Sequence, residues 1–466
     1  MTAQAPRRID TLVRNATIIT MDRERRVLLD GSLAIDKGRI VAVGPSREID
    51  PAYTASVAID GRDFIITPGF INGHVHITGD PLTRGFMPDT IDYRDPDTFA
   101  KWVMPRFLTQ TAEDERISAQ LAAFEMLRCG ITCFLEAGTI RYLDAVADGL
   151  AEMKIRARIG LWTEGRAFDP TQDPVAASDD AIAAMERAVE AYPVSSDSRI
   201  AAWPILVGHN CNTDAVWHAA KALADARGLG FAAHMSPYAS DTDLYLANVG
   251  RRPIEHLADL GMLGGNLVLT HVTHLDDAEF ELIVESGTHV AYCPLAALKG
   301  GFMASKKGRY PEFVARGTNL LIGSDGYDCD IMRLLPMASA TFKDARGDVS
   351  VFPAHMMLET ITVNAARALG MADEIGSLEP GKRADFVCHD ANRPELRPLL
   401  NPVNQLVWSA DGRGVHSVWI EGERVIDGYR STVIDEAALL RRAQDAGAAL
   451  VERAGLPLLS PWPIVR

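Results

Sequence analysis

Short apolar runs alternate with amphipathic stretches over most of the chain. The apolar runs, each ending in polar residues, are Phe64–Ile71, Ile131–Leu135, Ala157–Trp162, Ile200–Val207, Phe231–Ala233, Leu267–Thr270, Val290–Cys293 and Leu320–Ile322. Helix-like apolar spacing occurs at Glu113–Arg128, Asp180–Tyr192, Asp214–Arg227, Asp276–Ser286 and Tyr310–Arg316. Apolar strands that alternate with helices predict a parallel sheet buried on both faces. We therefore expect the α/β class, with a TIM-like (β/α)8 barrel over residues 64–375.

The two chain ends carry a different pattern. Residues 9–62 and 376–429 contain short alternating runs separated by turn signals such as Asp30-Gly31 and Glu379-Pro380-Gly381. Neither end has enough strands to form a stable sheet alone. We expect residues 1–63 and 376–432 to pair into one small β-sandwich domain. Residues 433–466 should form a helix, over Asp435–Ala454, followed by a tail.

Composition and charge narrow the classes of partner. The chain has 466 residues, with 62 acidic against 47 Lys and Arg side chains and a formal charge of -15, which disfavours nucleic acid and anionic membranes. The sequence shows no apolar run of signal-peptide or membrane-spanning length. Six scattered cysteines suit a reducing compartment better than a disulfide framework. These features predict a cytoplasmic protein that acts on a small molecule, and we expect a homo-oligomer, either a dimer or a tetramer.

Five polar residues follow the predicted strands, where β/α barrels gather their catalytic groups. His74 and His76 follow the first strand and, being one residue apart, face the same way along an extended chain. His234, His271 and Asp325 follow the fifth, sixth and eighth strands. One histidine at a strand end is usually structural, but five such residues in ring order predict a metal centre. Imidazoles with one carboxylate suit zinc, cobalt, manganese or iron and leave a position open for water.

Motifs around these residues resemble the amidohydrolase superfamily, in its branch of triazine hydrolases, cytosine and guanine deaminases and S-adenosylhomocysteine deaminases. The motifs are Pro68-Gly69-Phe70-Ile71-Asn72-Gly73-His74-Val75-His76, the single histidine after the fifth strand, Leu269-Thr270-His271 and Gly323-Ser324-Asp325-Gly326. The runs 364–370 and 376–385 resemble the family's exit from the barrel. The resemblance thus covers nearly the whole chain.

The resemblance implies a role for each site residue. The metal ligands would be His74, His76, His234 and Asp325; the catalytic groups would be Asp325, as proton carrier, and His271, as the polarising group; and the substrate contacts would be His209, His274 and Arg84. Two-metal members carry a lysine or glutamate after the fourth strand, whereas residues 204–210 contain neither. The resemblance therefore implies one divalent metal per subunit, which lowers the pKa of water for attack on the substrate.

Departures from the deaminase pattern shape the functional prediction. Pro237 stands three residues after His234, where deaminases of this branch carry a proton-shuttling glutamate. The motifs after the seventh and eighth strands are altered as well. This combination resembles molinate and phenylurea hydrolases, and it predicts cleavage of a carbamoyl-type bond in a urea, amide, carbamate or thiocarbamate. A neutral, partly apolar substrate would then contact a wall formed by residues such as Phe86, Met87, Trp102, Leu295 and Phe302.

Two alternatives stay open at this point. A deaminase or dechlorinase of a nitrogen heterocycle would use the same metal site. A non-catalytic scaffold relative would keep the barrel without the chemistry, although such relatives tend to lose ligands and none is lost here.

Overall fold

The structure is a computed structural model that describes residues 5–92, 95, 98–163, 173–195, 197–209, 211–457 and 459–465. Asn210, which belongs to the predicted run after the fourth barrel strand, lies outside these residues. The strands are β1 Arg7–Ile19, β2 Val27–Asp36, β3 Arg39–Pro45, β4 Tyr53–Asp60, β5 Phe64–Pro68, β6 Phe70–Val75, β7 Ile131–Glu136, β8 Arg156–Ile159, β9 Ile200–Ala202, β10 Ile205–Gly208, β11 Phe231–Met235, β12 Leu267–His271, β13 His289–Tyr292, β14 Leu320–Ile322, β15 Phe386–Asp390, β16 Val415–Ile420, β17 Glu423–Asp427 and β18 Arg430–Ser431.

Helices occupy the five connections predicted from apolar spacing and the predicted C-terminal segment. Three longer helices, Leu143–Met153, Ala239–Val249 and Ile331–Arg346, and several short ones were not predicted. The helices are α1 Ser46–Ile49, α2 Met104–Leu108, α3 Ala112–Arg128, α4 Leu143–Met153, α5 Pro174–Ala191, α6 Asp214–Arg227, α7 Ala239–Val249, α8 Pro253–Asp259, α9 Asp277–Ser286, α10 Pro294–Lys299, α11 Ala304–Lys307, α12 Tyr310–Ala315, α13 Ile331–Arg346, α14 Ala354–Thr360, α15 Val363–Ala368, α16 Pro402–Trp408 and α17 Glu436–Arg453. No helix in the described part of the chain combines the length and apolarity needed to span a bilayer.

Both chain ends contribute strands to one nine-stranded sheet. Its order is β18-β17-β16-β15-β5-β1-β2-β3, with β4 paired to β1. The antiparallel pairing of β15 with β5 joins the C-terminal strands to the N-terminal ones. Phe386 and Trp419 belong to the apolar core of this sheet, and their rings stack with centroids 5.3 Å apart. The prediction that the chain ends pair into a second β structure is confirmed.

Parallel strands form the predicted eight-stranded barrel. They lie in the orders β6-β7-β8-β9 and β10-β11-β12-β13-β14. Strands β9 and β10 are two halves of one predicted strand, divided at Trp203-Pro204, where Pro204 has no N–H to donate to a neighbour. A parallel bridge between Val75 and Asp325 places the end of the first barrel strand beside the end of the last one. The (β/α)8 prediction is therefore confirmed.

One predicted strand proved to be two. The run Phe64–Ile71 is divided at Gly69 into β5, which pairs with β1 and β15, and the start of β6. A side chain at position 69 would collide with Thr132, since its Cβ would lie 2.1 Å from Oγ1. This close approach requires glycine and marks the point where the chain leaves the small sheet.

The chain forms two compact units. One contains residues 1–72, 124–134 and 330–434, and the other contains residues 73–123, 135–329 and 435–466. The second unit includes the C-terminal helix α17, which was predicted at this position. In it, Gly447 lies against the backbone of Leu82, where a Cβ would be 2.4 Å from the carbonyl oxygen. Ion pairs from Arg442 to Glu113 and from Arg453 to Asp114 hold α17 to α3.

Candidate active site

Five predicted site residues converge at the carboxyl ends of the barrel strands. His74, His234 and His271 lie within β6, β11 and β12, because these strands end later than predicted, while His76 and Asp325 follow β6 and β14. The ligand atoms of His74, His234 and His271 lie within 4.8 Å of one another, and so do those of His74, His76 and Asp325. The barrel thus brings together side chains as distant in sequence as His74 and Asp325, which are 251 positions apart.

Hydrogen bonds orient two of these rings toward a common centre. The Nδ1 of His234 lies 2.8 Å from the carbonyl oxygen of Val207, and the Nδ1 of His74 lies 3.2 Å from Oγ1 of Thr270. With Nδ1 engaged in this way, Nε2 is the nitrogen left for a metal. The Nε2 atoms of His76 and His234 are 3.4 Å apart. Two nitrogens about 2.1 Å from one tetrahedral ion also lie about 3.4 Å apart, so this spacing fits a metal between them.

Asp325 completes the cluster. Its Oδ1 lies 3.5 Å from Nε2 of His76, and its Oδ2 lies 3.7 Å from Nε2 of His271. The N–H of Gly326 donates a 2.7 Å hydrogen bond to Oδ1. Close approach of the two strand ends depends on Gly323, whose Cβ would lie 2.8 Å from backbone atoms of His74. The carboxylate is therefore fixed against both imidazoles.

Burial sets the charge of the cluster. Desolvation lowers the pKa of His74, His234 and His271 well below the usual value, so these rings are neutral at pH 7. Desolvation also raises the pKa of Asp325, although the nearby His76 opposes that shift. Neutral imidazoles are the form that binds a metal. This donor set of buried nitrogens and one carboxylate fits one divalent metal ion.

Site residues adopt a backbone conformation that is uncommon outside glycine. His209, His271 and Asp325 have φ values of 51°, 79° and 61°. Such angles cost free energy and persist where the surrounding structure imposes them, which is often at functional sites. Here they turn the chain sharply at the ends of β10, β12 and β14, so that side chains point inward from the rim.

A cavity of about 420 Å³ opens over the cluster, within the range of small-molecule sites. His76, His234, His271 and Asp325 form its polar end. The apolar part of the lining is Val103, Phe107, Trp162, Val207, Pro237, Leu244, Ala296 and Phe302. Its lining thus favours a partly apolar molecule whose reacting atom reaches the histidines.

The prediction of which residues form the apolar wall of the substrate site is mostly wrong. Phe302 lines the cavity, but Phe86, Met87, Trp102 and Leu295 are not among the lining residues. The rings of Phe86 and Trp102 contact each other instead, with centroids 6.3 Å apart. The aromatic residues that line the cavity but were not predicted include Phe107 and Trp162, whose ring centroids are 5.3 Å apart.

The three predicted substrate contacts occupy different places. His209 lines the cavity beside His234. His274 is half-buried, and its Nε2 lies 3.0 Å from the carbonyl oxygen of Phe302. Arg84 is exposed, with Nη2 3.9 Å from Sγ of Cys329. Neither His274 nor Arg84 is among the residues that line the described cavity.

Sequence reasoning missed several residues at the site. Asp80 and Arg106 line the cavity and form an ion pair of 3.2 Å, and Asp241 lines it from α7. Cys293 groups with His271 and Asp325. Asp80 follows His76 by four residues and Asp241 follows His234 by seven, which is the only sequence signal that they carry. Because both lie beyond the strand ends, periodicity does not predict where they point.

Comparison with known proteins places the chain in a family. Residues 65–425 match the Amidohydrolase family. The chain is 30% identical to a 5-methylthioadenosine/S-adenosylhomocysteine deaminase of Symbiobacterium thermophilum over 94% of this chain and 99% of that protein. It is 27% identical to a 5′-deoxyadenosine deaminase of Methanosarcina acetivorans, over 96% and 99%. A crystal structure of an adenosine deaminase from Xanthomonas campestris with bound zinc superposes with a TM-score of 0.86 at 26% identity, over 96% and 100%.

The chain belongs to the amidohydrolase family. It is a hydrolase of carbon–nitrogen bonds other than peptide bonds, with a site for one divalent metal. The prediction of a carbamoyl hydrolase similar to molinate and phenylurea hydrolases is wrong, because these relatives are deaminases of adenosine type. That prediction treated the missing glutamate as a loss of the deaminase reaction, whereas proton transfer can be performed by any suitably placed group.

Proposed function

We propose that the protein is a metal-dependent deaminase that replaces the exocyclic amino group of an adenine-type heterocycle with oxygen and releases ammonia. The observation that carries this proposal is the match, along nearly the full length, to deaminases of methylthioadenosine, S-adenosylhomocysteine and 5′-deoxyadenosine. The polar cluster at the end of an apolar cavity supports it, since a flat heterocycle could present its amino carbon to that cluster.

The cavity wall supports an apolar substituent on the heterocycle. Phe107, Trp162 and Leu244 line the cavity, and its lining arginine, Arg106, already faces Asp80. Because its charge is balanced by Asp80, Arg106 attracts a charged substituent on the substrate only weakly. Within this proposal, a 5′-deoxy or methylthio nucleoside should therefore be used better than one with an amino-acid side chain.

We assign the metal to His74, His76, His234 and Asp325. When bound, a divalent metal supplies Lewis-acid chemistry and lowers the pKa of water. Asp325 takes the proton of the attacking water at its carboxylate and later gives it to the leaving amino nitrogen. His271, 3.7 Å from that carboxylate, holds the attacking oxygen through Nε2. His209, which lines the cavity beside His234, contacts the heterocycle.

An ammonia-release assay tests the proposal. The purified protein, loaded with zinc, cobalt or manganese, is incubated with adenosine, 5′-deoxyadenosine, methylthioadenosine, S-adenosylhomocysteine, cytosine, guanine and an aminotriazine. We expect at least one adenine nucleoside to be deaminated with kcat/KM near or above ~10⁴ M⁻¹s⁻¹. The matched control is Asp325→Asn carrying the same metal. No ammonia from any compound would overturn the proposed function.

A further inference from the structure

Deamination of an adenine-type ring requires a proton at the ring nitrogen beside the attacked carbon, since otherwise negative charge builds up on the ring. The residue three positions after His234 is Pro237, which lines the cavity with a hydrocarbon ring and has no N–H. The cavity must therefore supply this proton from another residue.

His76, His209, His234 and His271 line the cavity. His76 and His234 belong to the proposed metal set and His271 is assigned to the attacking oxygen, so His209 is the histidine that remains for proton donation. Its Nδ1 lies 2.8 Å from Oδ2 of Asp241, which is buried at 7% exposure. Because Nδ1 faces the carboxylate, Nε2 is the ring nitrogen left for a molecule in the cavity. Both side chains line that cavity.

Helix α7 holds the histidine at two points. Asp241 and Tyr245 are four residues apart and thus lie on one face of the helix. Asp241 binds the ring, and the Tyr245 hydroxyl donates a 2.7 Å hydrogen bond to the carbonyl oxygen of His209. The N–H of His209 donates to the carbonyl oxygen of His234 at 3.1 Å, and its φ of 51° is unusual for histidine. Contacts on ring and backbone therefore fix the direction of Nε2.

We propose that the pair His209–Asp241 replaces the missing acid, with His209 as the catalytic residue and Asp241 as the positioning residue. This inference rests on the proposed function. As the water oxygen bonds to the amino-bearing carbon, Asp325 takes the water proton and His209 gives a proton from Nε2 to the ring nitrogen. The carbon–nitrogen bond to the amino group then breaks, and ammonia leaves with the proton from Asp325. His209 regains its proton from the hydroxyl as the carbonyl forms, so that water is consumed and ammonia released.

The chain provides a matched control for the pair. His256 Nε2 lies 2.8 Å from Oδ1 of Asp214, and neither residue lines the described cavity. Asp214→Asn therefore removes the charge from a second histidine–aspartate pair of the same length, neither member of which belongs to the cavity lining. Asp241→Asn keeps the shape of the side chain while removing its charge, and Asp241→Glu restores the carboxylate.

The test measures kcat and KM separately with the best nucleoside substrate, together with bound metal and the melting temperature. We expect Asp241→Asn to lower kcat ~10²-fold or more, with KM within a few-fold and metal content unchanged. Asp241→Glu should recover at least tenfold of that loss, and Asp214→Asn should stay within about twofold of wild type. An Asp241→Asn enzyme with wild-type kcat, or with only KM changed, overturns the pair but not the deaminase. If Asp241→Asn does not fold, His209→Gln is judged by the same criterion. Absence of ammonia release by wild type overturns both.

Discussion

Oγ1 of Thr270 lies within hydrogen-bonding distance of Nδ1 of His74, at 3.2 Å, so that Nε2 of His74 is the nitrogen available to the proposed metal. Groups that hold a ligand histidine in this way typically contribute about 10 to 100-fold to metal affinity. We therefore expect Thr270→Val to weaken metal binding by that factor, as measured by competition with a chelator. Thr270→Ser retains the hydroxyl and serves as the control. Equal affinities for Val and Ser would remove Thr270 from the site.

Metal stoichiometry tests the assignment of the histidines. We expect about one tightly bound divalent metal per chain in active enzyme, and His76→Ala should lose both metal and activity. The matched control is His218→Ala, since His218 is exposed and lies on α6. Elemental analysis of wild type, His76→Ala and His218→Ala measures the bound metal per chain directly. Two rate-enhancing metals per chain, or full metal retention in His76→Ala, would contradict the assignment.

Asp325 is expected to serve in both binding and proton transfer. Asp325→Asn keeps the size of the side chain but cannot take up a proton, so kcat should fall by at least ~10² to 10⁴-fold. The fold should be kept, as judged by circular dichroism and melting temperature. Asp180→Asn, at an exposed position of α5, is the control and should show the parent rate. A rate within a few-fold of wild type for Asp325→Asn would exclude Asp325 from the proton transfers.

Acid sensitivity should depend on His389 in the small sheet. Burial lowers the pKa of His389 to about 3 from its usual 6.5. Below pH 6.5 the unfolded chain protonates this ring while the folded state keeps it neutral. The contribution of His389 to the free energy of unfolding is therefore fully present above pH 6.5 and is lost as pH falls toward 3. The loss amounts to about 1.4 kcal/mol per pH unit in that window.

His389→Asn should reduce this acid dependence, because the variant has no ring to protonate on unfolding. The measurement compares the free energy of unfolding of wild type and variant in denaturant at pH 7.5 and pH 5. His218→Asn, at the exposed site, should keep the wild-type difference between the two pH values. Equal differences for all three proteins would show that His389 does not contribute to acid sensitivity.

Local patterns predicted some of the helices and the convergence of the candidate metal ligands at one rim. Helix α6 runs over Asp214–Arg227, as predicted, because Thr213 caps its start through the N–H of Val216 and Gly228 ends it in a left-handed conformation. His76, His234 and Asp325 were predictable because a barrel collects its strand ends at one rim. The helix follows from residues within and beside it, and the convergence of the ligands follows from strand-end positions once a barrel is assumed.

Other features depend on contacts that a short sequence does not contain. Asp241 approaches His209 only because α7 packs beside the end of β10, and the run around it reads as an ordinary helix. The requirement for glycine at position 69, where the strand is divided, comes from the proximity of Thr132, 63 positions away. The substrate class was mispredicted for a related reason. The sequence shows at Pro237 that the usual glutamate is missing. Only the structure shows that Asp241 lies beside His209, where the pair could take over the role of that glutamate.

Pairing of β5 with β15 has a consequence for how the protein is made. The two strands are more than 300 residues apart, so the ribosome releases Phe64–Pro68 long before their partner Phe386–Asp390 emerges. Apart from the closure between the first and last barrel strands, β6 and β14, barrel strands meet neighbours that were synthesised shortly before them, whereas one edge of β5 must wait for nearly the whole chain. An unpaired apolar strand edge invites association with other chains. We therefore expect nascent chains that stall before residue 386 to need chaperones, and truncation there to yield aggregated protein rather than a smaller enzyme.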